Sequence, residues 1–421
     1  MPAKRPTPKV APTTASAAKK AVPTKAVSKK LVAKKAATKT AAKATAPAMP
    51  SGEIGWTDKL RKKIFASRAI PNPSHLTGGM DDGPTWVPVK TPYPYDIDAA
   101  WKEALDRSWS LAEWARPPNS IPVGYASATP ELAEIARAAL AAFGKRLDTL
   151  DAETEAAMMV LELRPSWNGM PLWIAMHGVA FATRVMCTAA RWRNNEGATG
   201  KHREQGLHLI EDGKCAGGEV HEHATAWRIL RGILAVASDS EYHEARAIAD
   251  AARKALPFEQ QAALAFAFAD EEWSKDAIDA YLVADDAGVD TSDAWEPWQM
   301  SIATAALDDA LRIARFGYPL HVPFAMTMLA KHGLETPRLI AAMFDTFAQV
   351  SRFTILGDVL AMIRTREALE AFVPVLGISA VKSPMTRAFK AQPALGKKLL
   401  ANAAKKNDKA GKAAAALLAK L

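Results

Sequence analysis

The sequence predicts an all-α protein in which short amphipathic helices follow one another as an array, an α-solenoid. Apolar residues recur at steps of three and four in most of the chain, for example after the start signal Thr336-Pro337. Related starts recur, and Leu339, Leu369 and Leu395 lie 30 and 26 residues apart. A period of roughly 20–50 residues is typical of stacked helix pairs. The alternative is an irregular helical domain whose helices share capping residues.

Charge divides the chain into three parts. Residues 1–50 hold 12 Lys/Arg and no acid, whereas residues 382–421 hold 10 Lys/Arg and one acid. Between them lie 32 basic and 44 acidic residues, so the net charge of +9 describes an acidic body with two basic ends. We predict a disordered Lys/Ala/Pro-rich tail over 1–50, a Trp-rich helical and loop segment over 51–128, and a helical-repeat body over 129–421.

The tail has no aromatic residue and cannot bury enough apolar surface to offset its ordering entropy. Its run AAKKAVPTKAVSKKLVAKKAATKTAAK resembles the tails of linker histones and of histone H1-like proteins of some bacteria. Lysines of this kind neutralise phosphates without reading sequence. A solubilising tail, a membrane-surface patch and a targeting peptide are the alternatives. The candidate polyanion contacts are Lys19, Lys20, Lys29, Lys30, Lys34 and Lys35.

The segment 51–128 is predicted to contain two helices and a long loop. Trp56–Arg68 has the spacing of a short basic amphipathic helix. The Pro/Gly-rich stretch Pro71–Pro94 is predicted to be loop. Asp96–Ala115 carries apolar residues at steps of four, which predicts a second helix. The tryptophans between 56 and 167 suggest either an aromatic binding surface or large core residues. Tryptophans at helical spacing usually lie in a core, and we favour that interpretation.

The body is predicted to be a succession of helices with one short alternating stretch, Leu207–Ile210. The polar loop after Trp192 is basic, and it is either an anion site or a solvated loop. The apolar run Met170–Thr183 is too short to span a bilayer and reads as a buried helix. The predicted helices before the C-terminal runs are Pro130–Leu147, Ala152–Leu163, Pro171–Trp192, Glu219–Ala237, Ser240–Lys254, Pro257–Ala269, Trp273–Val283 and Gln299–Phe316.

A metal-dependent enzyme is the least favoured functional class. His221 and His223 lie near Cys215, but two histidines at i and i+2 of a helix point to nearly opposite faces. Zinc sites use other spacings. No Gly-rich phosphate loop, nucleophile elbow or CxxC pair occurs, so we expect no catalytic residue, metal or cofactor. Two cysteines form no disulfide framework, and the N-terminus has no secretory apolar region.

The runs TREALEAFVPVLG, RAFKAQPALGKKLLANAAKK and AGKAAAALLAKL resemble the HEAT-like helical repeats of large bacterial proteins related to the molybdate metabolism regulator. LAFAFADEEW (Leu264–Trp273) is similar to a segment of the same group. The resemblance covers the C-terminal half. It implies a HEAT-like α-solenoid that serves as an interaction scaffold, and it carries over no catalytic residue.

We therefore expect a non-enzymatic scaffold that binds an unknown protein partner on the array and contacts DNA or RNA nonspecifically through the tail. The alternative is a nucleic-acid-binding protein that uses both the tail and the basic C-terminal helices, whose lysines otherwise serve as a polar cap. We expect no membrane span, no small-molecule substrate, and a cytoplasmic or nucleoid-associated location. The C-terminal candidates are Lys397, Lys398, Lys405 and Lys406.

Overall fold

The computed structural model describes residues 53–70, 74–77, 85–88, 129–142, 151–161, 166–194, 207–210, 219–289, 291, 295–316, 320–346 and 353–421. The tail lysines, Cys215 and the predicted helix Asp96–Ala115 lie outside these ranges. Contacts divide the chain into Met1–Thr45 and Ala46–Leu421, and every element below belongs to the second unit.

The described chain is mostly α-helical, as the sequence predicts. Its helices are α1 (Asp58–Arg61), α2 (Pro130–Ala142), α3 (Ala152–Val160), α4 (Ser166–Ala189), α5 (Glu219–Leu234), α6 (Asp239–Arg253), α7 (Phe258–Phe268), α8 (Glu271–Asp286), α9 (Trp295–Thr304), α10 (Leu307–Ala314), α11 (Val322–His332), α12 (Thr336–Thr346), α13 (Phe353–Met362), α14 (Arg366–Phe372), α15 (Lys382–Ala391), α16 (Pro393–Ala403) and α17 (Lys409–Leu418).

Two antiparallel hairpins accompany the helices in the described residues. Strands β3 (Trp192–Asn194) and β4 (Leu207–Leu209) pair, which confirms the alternating stretch near Leu207 as a strand. Strands β1 (Ser74–Thr77) and β2 (Thr85–Pro88) also pair, so the prediction that this whole stretch is loop was wrong. Alternation at Ser74–Thr77 is too short to detect beside so many Pro and Gly residues.

Helices α5 to α16 pack in two alternating rows. In the odd row, α5 packs against α7, and the same step repeats through α9, α11 and α13 to α15. In the even row, α8 packs against α10, α10 against α12, α12 against α14, and α14 against α16. Most consecutive helices also contact each other across the rows, and one continuous apolar core runs from Ile54 to Leu417.

Residues 53–70, here called the strap, lie against the odd row. At one end the Gly55 N–H donates to the Met362 carbonyl (2.7 Å), next to the α13 C-terminus. Further along, Phe65 packs between Phe266 of α7 and Phe324 of α11. The strap therefore crosses from the end of α13 to α5 and joins distant parts of the array.

Several helix starts follow the predicted capping chemistry. The Thr129 hydroxyl accepts from the Leu132 N–H at the start of α2, and the Thr365 hydroxyl accepts from the Ala368 N–H at the start of α14, both at 3.3 Å. The predicted cap at Thr336 is different, since its buried hydroxyl has no hydrogen-bond partner in the described structure. The capping contacts of Thr129 and Thr365 explain why helices could be predicted to start at these residues.

Two helix predictions fail because tertiary packing overrides local spacing. The predicted helix Gln299–Phe316 is two helices, α9 and α10, separated at Ala305 and the extended residue Ala306. This break sends α9 to the odd row and α10 to the even row. The predicted helix Trp56–Arg68 is helical only over Asp58–Arg61. The backbone beyond it bonds instead to side chains of the array.

Candidate functional site

Exposed lysines lie on α15, α16 and α17, in the turns that join them and just after α17. Each helix buries one apolar stripe, such as Gly396, Leu400 and Ala403 in α16, and the lysines occupy the remaining positions. The four predicted contacts belong to this surface, here called the lysine surface. Its members are Lys382, Lys390, Lys397, Lys398, Lys405, Lys406, Lys409, Lys412 and Lys420, all exposed.

None of these nine lysines forms an ion pair with any residue in the described part of the chain. Arg387 is the one arginine of residues 382–421, and it forms an ion pair with Asp358 of α13 at 2.5 Å. The one acid of residues 382–421, Asp408, accepts from the Gly411 N–H at 2.7 Å and so caps α17. Within the described residues, the positive charge of these nine lysines is therefore not neutralised by an ion pair.

The middle of the array neutralises its own charge. Asp279 of α8 binds both Lys275 (2.6 Å) and Arg312 of α10 (2.7 Å). Lys275, followed by Arg312, holds the pKa of Asp279 below its usual value. Arg338 is likewise paired with Glu335, in the 3-10 turn just before α12, and Arg366 is paired with Glu370 on α14. The charge count already distinguishes the basic C-terminal residues from the acidic body. The ion pairs add that Lys275, Arg312, Arg338 and Arg366 have carboxylate partners.

Close packing holds the last helix, and with it part of the lysine surface, against the array. A Cβ added at Gly411 would lie 1.9 Å from the Lys406 carbonyl oxygen, so only glycine fits this approach. The Lys409 stem lies along Gly377, with its Cγ 3.1 Å from the position of an added Cβ there. Lysine stems often pack in this way while the ammonium group stays in water.

The lysine surface offers no group that stacks on bases. Phe389 is the only aromatic residue of positions 382–421, and it is buried. Without exposed aromatic side chains, contact is limited to charge and hydrogen bonding with the backbone of a nucleic acid.

The predicted histidine site is only partly described. His221 and His223 lie in the first turns of α5, which confirms that this segment is helical. Among the described residues no group of three or more His, Cys, Asp or Glu side chains has the arrangement of a metal site. The other cysteine, Cys187, is buried in α4, and burial raises the pKa of its thiol to about 12.

The basic loop after Trp192 is described only at its base. Arg191 is exposed, and Arg193 lies in β3 with a buried Nε that has no hydrogen-bond partner in the described structure. Lys201 and Arg203 lie outside the described residues. The anion-site hypothesis for this loop stays a prediction.

Two tryptophans beyond the stretch 56–167 contribute to the core, and of those within it the structure describes only the burial of Trp56. Trp173 and Trp227 are buried, and their indole N–H groups donate to Glu155 (2.8 Å) and Gln260 (3.2 Å). Trp56 of the strap is half-buried against the same core. Buried indoles with polar partners indicate packing rather than an exposed binding surface.

A buried ion pair joins α5 to α9, and nothing in the sequence pattern indicated it. The Arg228 guanidinium binds the Glu296 carboxylate and the Thr225 hydroxyl. The side chains of Arg228 and Glu296 are only 2% and 4% exposed. Burial lowers the pKa of Arg228, and Glu296 opposes that shift. Buried pairs of this kind favour one specific helix arrangement.

A second buried cation, Arg231 of α5, has only carbonyl partners. Its Nε donates to the Ala66 carbonyl of the strap (2.7 Å) and its Nη1 to the Phe266 carbonyl, while the guanidinium lies 4.3 Å from the Phe266 ring centre. Burial lowers the pKa of Arg231 to about 9. The strap thus solvates a charge that the array itself leaves without a carboxylate in the described chain.

A small cavity lies among α7, α8, α9 and α10. Its volume is about 10 Å³, and Tyr281, Trp298 and Ser301 are among its lining residues. This volume is close to that of a single water probe. The cavity does not accommodate an organic substrate.

Comparison with known proteins places the chain in a family. Residues 98–316 match the family described as YehI second domain, which is 219 of the 421 residues. The chain belongs to the YehI second-domain family. The match includes α2 to α10, so the strap and the helices from α11 to α17 lie outside the family domain. Neither a curated protein nor a solved structure matches the chain.

One described helix segment meets the length and composition of a membrane span. This segment is Leu172–Ala189 in α4, and 56% of it is buried inside the fold. It belongs to the family domain and packs against α3, α5 and α6. Those contacts agree with the predicted buried helix.

Proposed function

We propose that this protein is a non-enzymatic, cytoplasmic nucleic-acid-binding protein whose docking site is the lysine surface of α15–α17. The observation that carries the proposal is the set of nine exposed lysines that form no ion pair within the described residues, in an array whose middle contains paired charges. Lysines that neutralise phosphates release counterions, and this release supplies the affinity. The lysines of the tail supply further contacts of the same kind.

The array itself is proposed to be a HEAT-like α-solenoid. Its support is the alternating contact pattern, in which α5, α7, α9, α11, α13 and α15 form one row and α8, α10, α12, α14 and α16 form the other. Relation to the molybdate regulator group rests on the sequence resemblance alone. In this arrangement α17 packs on α16, and its polar outer face serves both as a solubilising surface and as the docking surface.

The test is the affinity of full-length variants for a short labelled duplex, measured by fluorescence anisotropy at low salt. The paired substitutions K397Q/K398Q and K405Q/K406Q should each weaken binding severalfold. The control K59Q/K254Q removes two exposed lysines elsewhere and should leave the affinity unchanged. Equal losses in all three variants would mean that only net charge matters, and the docking-site proposal would fail.

The scaffold hypothesis is the second candidate, and the strap is the observation that bears on it. The strap lies against the odd row, so a protein partner meets either the even row or an odd row from which the strap has been displaced. Affinity capture with the full-length protein, followed by crosslinking of the captured partner, would locate its contacts on one row. Contacts confined to the lysine surface would exclude this candidate.

A further inference from the structure

We propose that the odd row is a peptide-binding surface, and that the strap is the peptide that occupies it in this structure. The inference is independent of nucleic-acid binding, because the lysine surface and the strap site share no residue. It identifies a second interaction surface and the chemistry of the partner that fits it.

The row recognises the strap through its backbone. The Thr327 hydroxyl of α11 accepts from the Phe65 N–H at 2.9 Å, and Arg231 of α5 donates to the Ala66 carbonyl at 2.7 Å. Both array groups are buried side chains, whereas both strap groups belong to the main chain. Hydrogen bonds to a peptide main chain, combined with a pocket for a side chain, recur in peptide recognition.

Phe65 is the anchor of this contact. Its ring centre lies 4.9 Å from those of both Phe266 and Phe324, and only 2% of the residue is exposed. Its neighbours Ile64 and Ala66 are 1% exposed each. Binding surfaces commonly derive most of their affinity from one or two such buried aromatic residues.

The strap takes its shape from the row and not from its own sequence. The spacing of Leu60, Ile64 and Phe65 favours a helix, yet the helix ends at Arg61. Disagreement between local preference and tertiary structure is concentrated at functional or strained sites. A surface that imposes a non-helical form on a helix-prone segment has the property that peptide recognition requires.

The contacts define the partner as a non-helical peptide with the pattern Ile-Phe-Ala-x-Arg. Its apolar triplet corresponds to residues 64–66, of which Phe65 packs between α7 and α11. The arginine two residues after the triplet corresponds to Arg68 of the strap. Arg68 binds the Asp239 carboxylate and donates to the Ala237 carbonyl at 2.9 Å. The Asp239 carboxylate and the Ala237 carbonyl at the α5–α6 turn therefore select a cation at that position of the partner.

The experiment uses the full chain and a labelled synthetic peptide of residues 59–70. The variant F65A/R68A removes both anchors of the strap from its site, and K59A/L60A is the matched control within the same segment. The opened variant should bind the peptide about tenfold or more tightly than wild type and control. A peptide with alanine in place of the phenylalanine should bind none of them.

A folded F65A/R68A variant that binds the peptide no better than the control overturns the proposal. If circular dichroism shows that this variant is unfolded, a protease site inserted between Ile70 and Ser74 of the otherwise wild-type chain replaces it. After cleavage, excess labelled peptide should displace the N-terminal fragment, as seen by gel filtration. Permanent retention of the fragment with no peptide uptake would show that the strap is a fixed part of the core.

Discussion

At the residue scale, burial determines which charged groups matter for stability. Arg228 and Glu296 neutralise each other inside the core, whereas Arg366 and Glu370 form a pair on the surface. Removing one partner of a buried pair leaves an uncompensated charge in a medium of low polarity, while water screens the surface pair. Removing one partner should therefore lower the free energy of unfolding much more for the buried pair than for the surface pair.

E296A should lower the free energy of unfolding by about 3–5 kcal/mol, because Arg228 would remain buried without its carboxylate. The control E370A should change it by less than about 0.5 kcal/mol. Urea denaturation followed by circular dichroism measures both. A small effect of E296A would mean that water reaches Arg228 and that the pair does not fix α5 against α9.

His332, at the end of α11, makes stability depend on pH. Burial, and then the neighbouring charge of Lys331, lower the pKa of His332 to about 4, against 6.5 for a free histidine. Between these values the unfolded chain takes up a proton that the folded protein does not. The contribution of His332 is thus complete above pH 6.5 and is lost as the pH falls toward 4.

H332Q should accordingly flatten the dependence of the thermal midpoint on pH between 6.5 and 4. Differential scanning fluorimetry across that range compares it with wild type, and H243Q is the control because His243 is exposed. An unchanged slope in H332Q would contradict the assignment of this pH dependence to His332.

At the element scale, packing at α17 decides whether the last part of the lysine surface is held in place. G411A puts a methyl group against the Lys406 carbonyl, and relief requires α17 to move. We expect a cost of about 1–3 kcal/mol, confined to the end of the array. Faster hydrogen exchange over Lys409–Leu418 would report it, and A416S, at an exposed position of the same helix, is the control.

Element prediction from sequence succeeded where the signal was local. The starts of α2 and α14 could be predicted from the sequence because Thr129 and Thr365 cap their own helices. The break between α9 and α10 at Ala306 could not be predicted from the sequence, because no Gly, Pro or side-chain cap marks it. Its cause is the alternation of rows, which only the assembled structure reveals.

The same distinction holds for the candidate sites. Exposure of Lys397 and Lys398 follows from the apolar stripe of α16, so the sequence predicted it. The strap site depends on Arg231 meeting the Ala66 carbonyl across 165 residues of sequence, and no local pattern contains that contact. Helical spacing in the strap indicated the opposite structure.

At the scale of the whole molecule, the chain joins a family domain to further helices that carry unpaired positive charge. The match to the YehI second domain ends at residue 316, within the loop that follows α10, and the lysine surface lies beyond it. The strap precedes the match and packs on helices of both parts, α7 inside it and α11 outside it. The strap thereby fixes the family domain against the helices that follow.

The most direct measurement of the central claim is the salt dependence of duplex binding for wild type and for K397Q/K398Q/K405Q/K406Q. Each phosphate contact contributes about 0.9 to the slope of log K against log salt concentration. If the four lysines bind phosphates, the variant should lose about 3–4 from that slope and should bind weakly at all salt concentrations. An unchanged slope would show that the lysine surface does not contact nucleic acid, and the proposed function would be wrong.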